Sequence, residues 1–271
     1  MQTFKIKTDM KLKNYFLAIA LILLAQNVSA QINNLDDFIV KTEELRMLTQ
    51  RVSKNYIMNG VLTNKTVYGK KLEKDKTLFN EIMLSLTEKA PNDEIEIELQ
   101  KLSMSWMFMN NILKKKYDAN AAAKILNYAE KMEEEIKEIS EMVSKLSKLK
   151  SVKLLRVSST GRMLSQKILL YYIANRLKIK SKVIPERFDK AKRDMYEIIN
   201  LLTDYASNDP DLKTDEAIAM YMDMIKDGYD KIRKGLTLKG KVHPVSANML
   251  SEQMTNNFDL LTQMIYSRFN N

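Results

Sequence analysis

The sequence predicts an all-α fold of two tandem antiparallel four-helix-bundle units, arranged as an internal pseudo-dimer. Three observations lead there. Only 6 glycines and 4 prolines interrupt 271 residues, so tight turns are few and long helices follow. Apolar residues recur three and four apart over long stretches, the period of a helix with one buried face. The second half of the chain also reads as a copy of the first, the mark of a repeated supersecondary unit.

The first predicted helix spans about 33–60, with Leu35, Phe38, Thr42, Leu45, Leu48, Val52 and Tyr56 along one stripe. The second, about 65–89, carries Leu72, Leu78, Phe79, Ile82 and Leu86. It stops at Ala90-Pro91-Asn92-Asp93, a breaker followed by a cap. The third, about 93–116, shows Leu99, Leu102, Trp106, Met109 and Leu113. The fourth begins near Asp118. No Gly or Pro follows before Gly161, which allows helices four and five to share a long continuous rod. The second half repeats the plan at about 151–179, 185–206, 211–235 and 244–269. Ser207-Asn208-Asp209-Pro210 and Lys239-Gly240-Lys241-Val242-His243-Pro244 punctuate it.

Residues 1–30 read as a leader and not as part of the fold. Lys5, Lys7, Lys11 and Lys13 precede an apolar run from Tyr15 to Ala25, and Val28-Ser29-Ala30 supplies small side chains before Gln31. This is the layout of a signal peptide cleaved after Ala30. The run is short for a membrane span of about 20 residues, a retained anchor being the alternative. The expected mature protein is periplasmic or secreted, with a first unit at 31–149, a second at 150–271 and no membrane span. Loss of the leader lowers the net charge from +10 to +7. An exported basic protein is expected to meet small anions or an anionic surface and not nucleic acid, unless the charge is only a solvated surface.

The repeat is sharp. Shifting the sequence by 116 residues lays Arg46-Met47-Leu48-Thr49-Gln50-Arg51 on Arg162-Met163-Leu164-Ser165-Gln166-Lys167, and Tyr56, Ile57 and Asn59 on Tyr172, Ile173 and Asn175. The same shift pairs Glu81-Ile82 with Glu197-Ile198, Leu86-Thr87 with Leu202-Thr203, and Ala90, Asn92 and Asp93 with Ala206, Asn208 and Asp209. Beyond that, the second copy needs extra residues around its third helix.

Arg46 and Gln50 lie four apart, with Ser53 three further on, so they share one helix face; Arg162 and Gln166 repeat the arrangement. A guanidinium offers a planar fork of donors suited to an oxyanion, and the Gln amide adds neutral donors beside it. Two such faces in contact bring like charges together, which is costly unless a negative charge sits between them. Arg46, Thr49, Gln50, Arg162, Ser165 and Gln166 are therefore the candidate ligand-binding residues. The competing interpretation is structural, with the arginines pairing to carboxylates such as Glu43 or Glu44 and their stems packing on the core.

The motif Arg-Met-Leu-(Ser/Thr)-Gln-(Arg/Lys) resembles the N-terminal sensor domain of type IV pilus methyl-accepting chemotaxis transducers, the PilJ type. The periplasmic nitrate-sensing domain of NarX-type histidine kinases is a more distant likeness. The family's early helix reads roughly Gly-Arg-Gln-Arg-Met-Leu-Ser-Gln-Arg. Thr160-Gly161-Arg162-Met163-Leu164-Ser165-Gln166-Lys167 is similar to it, most closely from Arg162 on, whereas Glu44-Leu45-Arg46-Met47-Leu48-Thr49-Gln50-Arg51 lacks the glycine. In the nitrate-sensing relatives two first helices meet and their arginines hold the anion together. The resemblance thus implies that Arg46 and Arg162 converge on a small anion or polar ligand between the first and fifth helices.

Other chemistry finds little support. Cysteine is absent and histidine occurs once, which removes thiolate nucleophiles, Cys-ligated metals and most nucleophile–His pairs. His243, before Pro244, reads as a turn residue. Met104, Trp106, Met107, Phe108 and Met109, echoed by Met220, Met222 and Met224, suit copper only weakly and read as adaptable core filler. Glu133-Glu134-Glu135 and the lysines at 145–153 read as charged helix surface with pairs such as Glu133–Lys137 and Glu141–Lys145. The expectation is a non-enzymatic sensor-type module without cofactor or metal that passes its signal to a separate envelope protein. The alternative is a structural or adaptor protein with no small ligand.

Overall fold

The computed structural model describes residues 32, 34–62, 65–147, 150–210 and 212–270. The leader expected at residues 1–30 lies outside the described residues. Among those described, the chain forms eight α-helices and no strand. They are α1 (Leu35–Val61), α2 (Lys65–Glu88), α3 (Asp93–Leu113), α4 (Ala119–Leu146), α5 (Lys150–Arg176), α6 (Ile184–Asn208), α7 (Glu216–Gly235) and α8 (Pro244–Asn270). No described helix is long and apolar enough to cross a membrane.

Local chemistry sets the helix starts. Asn34, Asn92 and Asp118 each accept a hydrogen bond from the backbone N–H three residues on, at 2.9 Å. This satisfies donors that the first turn leaves without partners. Asp36 and Asp37 in the first turn of α1 complement the positive end of its dipole. In the second half the cap moves. Asn208-Asp209 align with Asn92-Asp93 in sequence, yet α6 runs through Asn208 and Asp215 caps α7, accepting from Ala217 and Ile218. The extra residues of the second copy fall between those two helices.

Helices four and five are not one rod. α4 ends at Leu146, and Ser147 has extended backbone, φ −101° and ψ 132°. A Gly or Pro is only one way to end a helix; here the chain must leave α4 so that α5 can reach α1.

α1 and α5 sit at the centre. α1 packs on α2, α4 and α5, and α5 packs on α1, α6 and α8. α2 also meets α3, α3 meets α4, α6 meets α7 and α7 meets α8. Antiparallel pairing is explicit where α1 meets α4: Glu43 faces Ser140 and Gln50 faces Glu133. Where α5 meets α8, Ser158 faces Thr262 and Gln166 faces Thr255. α1 and α5 run parallel, pairing Asp36 with Ser151, Arg46 with Thr160 and Lys54 with Gln166. Both are buried over most of their circumference; every residue from Leu45 to Gln50 and from Gly161 to Ala174 is buried. A helix buried on all sides must satisfy any polar group it carries from within the protein.

Candidate functional site

The two motif helices bring their polar faces into the α1–α5 contact, where a network of buried charges fills the space. Arg46 is 7 % exposed. Its Nη1 donates to Glu43 Oε2 at 3.2 Å and to Thr160 Oγ1 on α5 at 3.3 Å, and its Nη2 reaches Glu133 Oε1 on α4 at 3.5 Å. Burial alone would lower the Arg46 pKa, but Glu43 and Glu133 outweigh it and hold the guanidinium charged. Glu43 is fixed in turn by Ser140, whose hydroxyl donates to it at 2.7 Å.

Glu133 is the centre of this half. It is 5 % exposed and accepts from Gln50 Nε2 at 3.0 Å and from Lys167 Nζ at 2.6 Å, besides Arg46. Arg46 and Gln50 belong to the first motif and Lys167 to the second. The negative charge needed between the two motif faces is therefore supplied by the protein itself. This corrects the placement of Glu133 on a charged surface paired with Lys137: Lys137 pairs with Glu134, and Glu141 pairs with Arg156, not Lys145. The signal was present in the sequence. Ala122, Ile125, Ala129, Ile136 and Val143 form the buried stripe of α4, and Glu133 falls on it, four after Ala129 and three before Ile136.

The second motif is held differently. Arg162, 5 % exposed, pairs with Asp259 Oδ1 on α8 at 2.9 Å, and the Asp259 side chain is 40 % exposed. Gln166 Nε2 donates to Thr255 Oγ1 at 2.8 Å. Thr255 thus meets Gln166 as Glu133 meets Gln50, but brings a hydroxyl instead of a carboxylate. Thr49 and Ser165 turn their hydroxyls back to Leu45 O and Gly161 O, at 2.9 and 2.8 Å. Arg46 and Arg162 share no hydrogen-bond or ion-pair partner among the described residues.

A cleft of about 440 Å³ opens between α1 and α8. Asp37, Val40, Lys41 and Glu44 line one side, Asp259, Thr262 and Tyr266 the other, with Arg162 reaching in from α5. Lys41 pairs with Glu44 at 3.0 Å, and Tyr266 donates to Asp37 at 2.6 Å. Arg162 Nε is buried and makes no hydrogen bond.

Two further carboxylate clusters cross between the halves. On α4, Glu130 meets Lys167 at 2.9 Å, Arg187 at 2.5 Å and the Tyr171 hydroxyl. On α8, Glu252 meets Lys54 at 2.5 Å, with Arg51 and Lys71 adding to the field. Lys71 and Arg187 are 116 residues apart, as are Arg51 and Lys167, so the two clusters use equivalent positions. Lys54 is fully buried and also donates to Gln166 Oε1 at 2.7 Å. Desolvation lowers its pKa from 10.5 to about 8, the attraction of Glu252 notwithstanding. Sequence reasoning missed Lys54, although it interrupts a run of apolar and small polar residues on α1.

The methionine-rich patch divides. Trp106, Met109 and Met222 are buried as filler, whereas Met104, Met107, Phe108, Met220 and Met224 are exposed. Among the described residues no group of three His, Cys, Asp or Glu side chains is placed to hold a metal ion. Compared with family models, characterised proteins and solved structures, the chain matches none.

Proposed function

We propose that the protein is a ligand-binding, sensor-type helical module of the cell envelope. In this reading two four-helix units, α1–α4 and α5–α8, pair through α1 and α5 as an internal pseudo-dimer. A small polar ligand sits in the α1–α8 cleft against Arg162, and occupancy is passed to a separate partner protein.

The observation that carries the reading is the unequal treatment of one duplicated arginine. Arg46 is closed in by Glu43 and Glu133, whereas Arg162 lines an open cleft and has a half-exposed counter-ion; the Nε of each is buried without a partner. A guanidinium has donors beyond the Nη2 that holds Asp259, so a ligand oxygen adds to that pair and need not break it. The motif's resemblance to PilJ-type sensor domains points to the same class, as does the pairing of Glu130 and Glu252 with cations of the opposite half. A ligand that ties α8 to α1 bridges the two halves, which is the kind of contact a receptor needs to couple binding to shape.

The test is thermal denaturation of the mature chain against a panel of oxyanions and small polar metabolites. A ligand specific to the native state raises the melting temperature with occupancy. The expected result is a shift in the wild type that Arg162→Gln loses. Thr255→Glu gives the second motif the carboxylate that the first already has, and is expected to abolish the shift while preserving the helical circular dichroism.

One observation favours an adaptor instead. Ile97, Met104, Met107 and Phe108 are exposed along one face of α3, and exposed apolar stripes mark interaction surfaces. A flat ligand panel, with binding to an envelope protein that Met104→Lys abolishes, would establish that alternative.

A further inference from the structure

The α1–α8 cleft has a charge pattern that narrows its occupant. Resting on the reading of this cleft as the ligand site, we infer that the ligand is a zwitterion of the α-amino-acid class, with a carboxylate and an ammonium group close together.

The lining carries two cations, Arg162 and Lys41, and three carboxylates, Asp37, Glu44 and Asp259. A simple oxyanion entering this space gains Arg162 but meets a wall with more negative than positive charge. A simple amine gains the carboxylates but nothing from the Arg162 guanidinium. A molecule carrying both charges answers both. The signs alternate across the cleft: Lys41 beside Glu44 on α1, and Arg162 beside Asp259 across α5 and α8. A ligand carboxylate against the Arg162 guanidinium therefore leaves its own ammonium facing a cleft with acidic side chains on either wall. Arg162 suits the task because its guanidinium is already oriented by Asp259 through Nη2 and carries further donors for a ligand. A space of about 440 Å³ far exceeds a nitrate ion and leaves room for a side chain beside Val40 and Thr262. In the first half the equivalent arginine is already answered by Glu133, so one ligand per chain is expected.

The experiment is isothermal titration calorimetry of the mature chain. The twenty L-amino acids are titrated one at a time, with nitrate, phosphate, acetate and ethylammonium as singly signed probes. The expected result is that at least one amino acid binds with a stoichiometry of one. Its Kd rises at least tenfold in Arg162→Gln and in Glu44→Gln, and none of the singly signed probes gives heat at the same concentration. Arg162→Lys, which keeps the charge but loses the fork, is expected to weaken binding while keeping the wild-type circular dichroism, separating recognition from folding. Nitrate or phosphate binding that Arg162→Gln abolishes, with no amino acid bound, would overturn the zwitterion and leave the cleft as the site. Amino-acid binding indifferent to Arg162→Gln would place the ligand elsewhere and overturn both. No heat from any probe, in a protein that captures an envelope partner, would overturn the sensor reading and this inference with it.

Discussion

Lys54 shows how much this protein tolerates in its interior for the sake of connection. It lies on α1, is fully buried, and spans to Gln166 on α5 and Glu252 on α8. Burial holds its folded pKa at about 8, against 10.5 when solvated. The unfolded chain thus keeps the proton to higher pH than the folded one. Between those values the unfolded state binds more protons, so stability rises with pH. Below about pH 8 the penalty is fully present. Measured as wild type minus Lys54→Met, which cancels other titrations, urea stability is expected to rise by about 3 kcal/mol from pH 8 to 10.5, at 1.36 kcal/mol per unit. A difference independent of pH would show that burial leaves the Lys54 pKa at its solvated value. Residues of this kind were the least legible in the sequence. Arg46, Gln50, Arg162 and Gln166 stood out because they recur, and all four lie buried where α1 and α5 meet. Glu133, Lys54 and Asp259 lie outside the recurring motif segments, and the partner of a buried charge is set by which helices meet, which no single segment encodes.

At the scale of helices, periodicity did most of the work. The expected boundaries fall within about three residues of those found, apart from α7, where Asp215 replaces the aligned Asn208-Asp209 as cap. The join of α4 and α5 was illegible because nothing in its composition breaks a helix; the turn is imposed by the packing of α5 on α1. Gly161 illustrates packing at this level. A Cβ there would lie 2.2 Å from Phe258 on α8, and Phe258 is fully buried. Leu45 occupies the equivalent place in the first half, so the glycine answers a local close approach and not a need of the motif. Gly161→Ala gains about 1 kcal/mol of helix propensity but meets an overpacking cost of about 1–3 kcal/mol. The expected outcome is a lower melting temperature, restored when Phe258→Leu is added. A melting temperature raised by Gly161→Ala alone would mean that the ring yields freely.

Across the whole molecule, stability turns on charges buried between helices. Charges buried where α1, α4, α5 and α8 converge contribute little net stability when paired, but removing one partner costs about 3–5 kcal/mol because the others are left uncompensated. Glu133 answers three donors from both motifs, so Glu133→Gln is expected to lower the unfolding free energy by about 3 kcal/mol. The neighbouring Glu134→Gln, exposed on α4, should change it by less than 0.5 kcal/mol. Equal effects in equilibrium denaturation would remove Glu133 from the centre of the network. The pairing of Gln166 with Thr255, where Gln50 has Glu133, carries a genetic consequence. In an assembly of two identical chains every codon change strikes both sides at once, and neither can diverge from its twin. A single gene that holds both motifs is released from that constraint: one arginine can settle on Glu43 and Glu133 while its counterpart takes Asp259.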